Sequence, residues 1–428
     1  MSPKRISAIL TILGLFLFAS LAAPNVQAAT YGFTTFDVPG ATDTHARSIN
    51  ASGQIAGFYW DDLNRPHGFV YSNGTFTILD VPDATKTFAY SINASGQVTG
   101  FYQDVSDRNH GFVYSNGTFT TLDGPGATET AALSINDSGQ VTGYYWDGSG
   151  AYGFLYGNGT FTTFDTPNHA FIQPTSINAS GQVTGYYTTS VMPRLTNGFV
   201  YSGSAFTPLD IPSPGLDSTL AASINDSGQV TGSYCNVVDK GGCRGSHGFV
   251  YGGGTFTTFD IPGATHTEPN SINNGRQVAG HYSNDLGYHG FLYSNGTITN
   301  FDAPGAIDTW ATSINASGQV AGRYYDGSRY HGFIATPVCA TPMVTIHTFT
   351  TTPSGFRLTG LITHEGAPLC ALVLANGQFM FTCGDPLPKG DFDLTVPLDG
   401  YGQITLFGFS AGLLPFQQTF SPAPSTSP

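Results

Sequence analysis

The 428-residue chain carries 28 acidic against 14 basic side chains, a net charge of −14, and charged residues make up only 10% of it. That balance excludes nucleic acid and anionic membrane surfaces as partners, because both demand basic patches. Aromatic residues at 13% and 55 glycines exclude a long disordered chain.

Residues 1–28 read as an export leader. Lys4 and Arg5 form a short basic start, an apolar run follows from Ile9 to Ala23, and Val26-Gln27-Ala28 fits a small-x-small cleavage site before Ala29. The run spans about 15 residues, short of the roughly 20 that cross a bilayer, so cleavage is expected and no membrane span follows it. Losing Lys4 and Arg5 takes the net charge from −14 to −16. Export to the periplasm or the medium also suits the cysteines. None of the five forms a CxxC pair, which leaves zinc and thioredoxin-like chemistry without support. Cys235 with Cys243 and Cys370 with Cys383 are the expected bridges. Cys339 is left over, and other pairings among the last three stay open.

From Thr30 onward the chain is a repeat. A near copy of S-I-N-x-S-G-Q-V-T-G-x-Y starts at Ser48, Ser91, Ser134, Ser176, Ser223, Ser271 and Ser313, at spacings of 42 to 48 residues. One unit, His67 to Tyr102, shows the local grammar. The apolar run His67–Tyr71 is followed by Asn73-Gly74, a two-residue hairpin signal in which both positions favour positive φ. Phe76, Ile78 and Asp80 then alternate as in a strand. The segment V-P-D-A-T breaks the pattern, A-Y-S-I-N is a third strand, A-S-G-Q is a tight turn, and V-T-G-F-Y is a fourth strand. Four strands per repeat without a helical period predict a β-propeller blade. A parallel β-helix has shorter coils and no Asn-Gly hairpins, and seven separate sandwiches need far longer units to bury a core.

The pieces do not divide evenly. The Gly-Phe strand occurs seven times, at Phe69, Phe112, Phe154, Phe199, Phe249, Phe291 and Phe333. The F-T-x-F-D strand also occurs seven times, ending at Asp37, Asp80, Asp123, Asp165, Asp210, Asp260 and Asp302. The hairpin joining the two occurs only six times. The chain therefore opens on a fourth strand without its third and closes the repeats on a third without its fourth. The expected fold is all-β: a seven-bladed propeller over 29–336 whose last blade is closed by the first strand, one plus three. Each S-I-N strand is innermost and each F-T-x-F-D strand outermost. Such a closure seals the ring and leaves no long unpaired edge.

The pattern HGFVYSNGTFTTFD…SINxSGQVTGxY resembles the HAF-repeat family of extracellular bacterial proteins, over about Tyr31 to Ile334. Tyr152 and Asn197 replace the histidine before Gly-Phe in two units, and the turn after Ser271 is altered. The resemblance implies export and a β-rich repeat fold. It implies no catalytic residues. Beyond a linker at 337–342, residues 343–421 alternate like strands and resemble transthyretin-like or carboxypeptidase-regulatory modules, so a small β-sandwich is expected there. Residues 422–428 read as a disordered end.

Residues copied in every unit are read as fold residues. The histidines of His-Gly-Phe (His67, His110, His247, His289, His331) each belong to a separate blade, too far apart to share a metal. The repeated aspartates precede turns and are expected to accept backbone N–H bonds. No metal or cofactor is predicted. Recognition should lie where the blades differ, on the face carrying the crossover before S-I-N and the loop after V-T-G-x-Y. The candidate ligand-binding residues are His45, Arg47, Trp60, Asp61, Tyr90, Trp146, Asp147, Glu268, Trp310 and Tyr330. Aromatic plates beside carboxylates and amides suit a sugar, so an extracellular or cell-wall polysaccharide is the leading partner. An envelope protein bound by a monomeric scaffold is the alternative. A second alternative, a glycan-degrading enzyme, would draw on His45 and Glu268 as an acid–base pair. No nucleophile elbow, phosphate loop or HExxH string is present.

Overall fold

The computed structural model describes residues 30–166, 171–188, 195–211, 218–235, 238–239, 242–243 and 245–338, and strand segments within 344–420. The leader, residues 339–343 and residues 421–428 lie outside the described residues. Residues 29–338 form one compact unit, and the tail from Cys339 belongs to another.

Seven four-stranded antiparallel sheets build the first unit. Blade 1 runs outward through Asp43–Ile49, Ile55–Trp60, Pro66–Ser72 and Thr75–Leu79. Blades 2 to 6 repeat this order, with innermost strands at Lys86–Ile92, Glu129–Ile135, Ile172–Ile177, Ser218–Ile224 and His266–Ile272. Blade 7 comprises Asp308–Ile314, Val320–Tyr325 and Tyr330–Val338, and its fourth strand is Thr30–Phe36, from the other end of the repeats. The two ends pair antiparallel without a break, from Thr30 opposite Val338 to Phe36 opposite Gly332. The ring is therefore the one-plus-three propeller expected from the missing hairpin. The last strand runs on through Pro337 and Val338, where the linker was expected to start, because Tyr31 and Thr30 lie opposite them.

Each sequence fragment has a geometric task. The seven Gly-Phe phenylalanines are all fully buried. A Cβ added at Gly57 of the second strand would strike the His45 carbonyl and the Phe69 ring, so the glycine at this place, which ends V-T-G in blades 2 to 5, makes room for that phenylalanine. Asn73 and Gly74 have φ of 47° and 84°, the left-handed pair that a two-residue hairpin needs.

The S-I-N triplet links the blades. The Oγ of each of its serines accepts the isoleucine N–H of the next blade, from Ser48 to Ile92 and onward to Ser313, which accepts from Ile49. Each asparagine donates from Nδ2 to the carbonyl of the next blade's asparagine, from Asn50 to Asn93 and onward to Asn315, which donates back to Asn50. Two complete seven-membered rings of hydrogen bonds thus run around the channel. The same asparagines donate to the glutamine of their own turn and accept its backbone N–H, as Asn50 does with Gln54 at 2.9 Å each way. Every polar atom of the side chain is used, which permits its burial at 3–6% exposure.

Cys235 and Cys243 form the expected disulfide in blade 5. In the tail, the strands order as one three-stranded and one four-stranded antiparallel sheet. The backbone register sets Cys370 directly opposite Cys383. Side chains there, Cys339 and the expected sandwich packing lie outside the described residues.

Candidate functional site

The inner strand of every blade carries a β-bulge of one extra residue, Arg47 between Ala46 and Ser48 in blade 1 and the matching residue in the other six. Strict alternation would put Ala46 and Ser48 on one face. The bulge turns the serine toward the neighbouring blade and leaves the residues one and three places before it facing the channel. Opposite the residue three places before the serine stands the residue after V-T-G. Seven cross-strand pairs therefore surround the mouth: His45 with Phe58, Phe88 with Phe101, Ala131 with Tyr144, Gln173 with Tyr186, Leu220 with Ser233, Glu268 with His281, and Trp310 with Arg323. No two pairs are alike, although the flanking strands are close copies.

A cavity of about 390 Å³ opens inside this ring, lined by Arg47, Tyr90, Leu133, Gln173, Thr175, Tyr186, Leu220, Ala222, Asn270, His281, Trp310, Thr312 and Arg323. Its aromatic, basic side is built by blades 7, 1 and 2. Arg47 lies 4.8 Å from the Tyr90 ring centroid. Arg323 lies 5.3 Å from the Trp310 ring and 5.7 Å from that of Tyr330. Trp310 and Tyr330 touch at 5.6 Å, and Tyr330 reaches His45 at 5.1 Å. The far side is amide and hydroxyl: Tyr186 donates its O–H to Gln173 Oε1 at 2.8 Å, and Asn270 contacts His281 Nδ1 at 2.9 Å. With Asn270 as donor, His281 holds its proton on Nε2, 3.1 Å from Glu268 Oε2.

Of the ten residues singled out from sequence, Arg47, Tyr90 and Trp310 line the cavity. His45 stacks on Phe58 at 5.0 Å, and its Nδ1 is enclosed without a partner. Tyr330 packs between His45 and Trp310. Glu268 is bound by its own blade's His281, whose hydrogen bond holds the carboxyl below its ordinary range. Among the described residues Glu268 interacts with His281 and His266, and His45 with Arg323 and Arg47, with no bond joining the two as an acid–base pair. Trp60 meets Phe88 edge-on at 6.3 Å, and Trp146 stacks on Phe171 at the rim. Asp61 and Asp147 close their own loops. Asp61 accepts from Leu63 N, Arg65 N, the Arg65 guanidinium and His67. Asp147 accepts from Ser149 N and Oγ and Gly150 N. The His-Gly-Phe histidines bond their own blade's repeated aspartate, as His67 does with Asp80 at 2.8 Å and His331 with Asp37 across the seam at 3.0 Å. Among the described residues, no cluster of three metal-ligating side chains occurs.

Sequence reading missed Arg323, Tyr186 and His281. The signal was available: the place after V-T-G reads Phe, Phe, Tyr, Tyr, Ser, His, Arg inside an otherwise repeated strand.

His45 has a pH consequence. Burial, with Arg323 and Arg47 nearby, pushes its pKa from 6.5 down to about 3. The unfolded chain takes up this proton as pH falls through 6.5, and the folded chain resists until about 3. Stability from this group is complete above 6.5 and is lost on acidification. At 1.36 kcal/mol per unit, and discounting for partial exposure, the loss between pH 7.5 and 4.5 is about 2 kcal/mol. Denaturant titrations at both pH values should show His45→Gln losing about 2 kcal/mol less than the parent. Equal losses would contradict the assignment.

No family model matches the chain, and no curated protein matches it. Solved structures do. A mutant of the Aleuria aurantia lectin in complex with α-methyl-L-fucoside aligns at 12% identity and a TM-score of 0.37, over 63% of this chain and 96% of the lectin. YCF48 bound to D1 peptide aligns at 10% and 0.44, over 72% of this chain and 99% of its own. The WD40 β-propeller domain of Doa1 aligns at 12% and 0.43, over 72% and 97%.

Proposed function

We propose that the protein is an exported, non-catalytic binding protein of the HAF-repeat kind, and that it takes an extracellular or cell-wall glycan at the mouth of the propeller channel. The supporting observation is the cavity itself. Trp310 and Tyr90 put aromatic surface on its wall, while Gln173, Asn270, Tyr186 and Thr312 add hydroxyl and amide groups. Export rests on the leader at 1–28 and on the Cys235–Cys243 bridge, which suits an oxidising compartment. No helix among the described residues is long and apolar enough to cross a membrane. The tail is read as a β-sandwich appended to a monomeric propeller.

A carbohydrate array probed with the full chain tests this reading. Binding to a glycan should fall at least tenfold in Trp310→Ala and survive in Trp146→Ala, which lies at the rim. An empty array, or loss with Trp146→Ala alone, would contradict it. A protein partner is the second reading. It is favoured by apolar loop tips on the same face: Leu63, Val105 and Leu286 are 66%, 80% and 81% exposed. On that reading, a partner co-purifies from envelope extracts and is lost when these three become serine.

A further inference from the structure

The described arginines of the loops and those of the channel differ in their partners. Arg65 pairs with Asp61 at 2.7 Å and Arg329 with Asp37 at 3.1 Å. Arg108 donates to the carbonyls of Thr128 and Ala127. Arg47 and Arg323, both lining the channel cavity, have no carboxylate partner among the described residues. Their recorded neighbours are ring faces, Tyr90 for one and Trp310 and Tyr330 for the other. Stacking satisfies the face of a guanidinium and leaves its N–H edge unbonded. Arg323 Nε is enclosed with no hydrogen-bond partner, and so is His45 Nδ1 beside it.

An unpaired buried cation is costly, and two that repel one another cost more. The surroundings record that repulsion. Burial and then Arg47 pull Arg323 down from 12.5 to about 10, and the two arginines help keep His45 uncharged. A carboxylate close by would relieve all three groups. The carboxylate of the mouth, Glu268, is instead tied to His281 in blade 6, and Asp43 and Asp308 accept backbone N–H groups of Tyr330 and Tyr288. The chain thus keeps two cations at the mouth without an internal counter-ion, although acidic residues outnumber basic ones twofold overall.

We propose that Arg47 and Arg323 hold an oxyanion of the ligand, so that the glycan taken by this channel is an acidic one, whose carboxylate or sulfate bridges the two guanidinium groups. This rests on the glycan reading above and specifies its ligand class. Guanidinium edges match either group through paired, charge-assisted N–H···O bonds. Across the cavity Tyr186 is bonded to Gln173 and Asn270 to His281 and the Ala311 carbonyl, and their remaining donor and acceptor positions are left for the neutral hydroxyls of the same ligand.

The experiment uses the full chain on an array of matched oligosaccharides in neutral, carboxylated and sulfated forms. The strongest hit is then titrated by calorimetry against the parent, Arg47→Gln and Arg323→Gln, with melting temperature measured for each. The expected hits carry a carboxylate or a sulfate, and which of the two is bound identifies the source of the charge. Each variant should lose at least tenfold in affinity, and raising the salt should weaken the parent more than either variant. Arg47→Gln guards against a folding defect in the more buried Arg323 variant. Neutral and acidic forms binding equally, or unchanged affinity in both variants, would overturn the acidic ligand and leave the glycan reading standing. An empty array would overturn the glycan reading itself.

Discussion

A chain lacking residues 30–36 should melt about 10 °C or more below the intact protein and lose the sharpness of its transition. Those residues supply the whole outer strand of blade 7, seven consecutive positions of ladder with Gly332 to Val338. They also anchor the neighbouring blade. Phe36 is buried against blade 1, stacking on Tyr71 at 4.4 Å and meeting Phe69 edge-on. Phe33 packs against Phe333 and Phe301. Truncating one buried phenylalanine costs about 3–5 kcal/mol, and each kcal/mol is worth about 1.5 °C in a domain of this size. The deletion removes more than one such contact and exposes the edge of Tyr330–Val338. A synthetic peptide of residues 30–38 added to the truncated chain should restore part of the loss, as strand addition does elsewhere. An unchanged melting temperature, measured by calorimetry, would mean that the ring does not depend on its seam.

The second large effect belongs to the asparagine ring. Asn178 donates to Gln182 Oε1 at 2.8 Å and to the carbonyl of Asn225 in the next blade at 3.0 Å. It accepts from Gln182 N at 2.9 Å and Ser180 N at 3.1 Å. Asn178→Leu keeps the number of side-chain heavy atoms and takes the partner from Gln182 Oε1, Gln182 N and Ser180 N at a site only 3% exposed, while the Asn225 carbonyl keeps Gly228 N. At about 1–3 kcal/mol for each buried group left unpaired, the expected cost is about 4 kcal/mol. Ser134→Ala, which removes the side-chain acceptor for Ile177 N, should cost about 1 kcal/mol. Urea titration with an unchanged m-value is the check. A loss below 1 kcal/mol for Asn178→Leu would show that the ring is incidental to stability. The substitution in one blade tests all seven, because the geometry recurs around the circle.

These two devices explain why so much of the fold was legible. Asn-Gly hairpins, the Gly-Phe strand and the count of six hairpins against seven strands all follow from backbone conformation and connectivity, which sequence records directly. The permuted closure could be read because the fragments at Tyr31 and His331 are complementary halves of one unit. The site was less legible for two physical reasons. The bulge before each serine breaks the two-residue period, and no residue type marks it. The second strand then brings Arg323 opposite Trp310 by register alone, a relation between positions thirteen residues apart that alternation within a strand does not reveal. Asp61 and Asp147 mislead for the opposite reason. A loop carboxylate looks the same in sequence whether it meets a ligand or closes its own turn, and here the backbone N–H groups of Leu63, Arg65, Ser149 and Gly150 are what these two meet.

The division of labour between copied and varied residues is the claim on which the functional account rests: identical residues close the ring, and the seven unlike pairs at the mouth recognise the ligand. Hydrogen exchange, followed by mass spectrometry with and without a bound oligosaccharide, addresses it most directly. Slowed exchange is expected in Asp43–Ile49, Lys86–Ile92, Asp308–Ile314 and Val320–Tyr325, with no change in the outer strands. Protection confined to the loops around Asp61 and Asp147, or to the tight Ser-Gly-Gln turns on the opposite face, would contradict it.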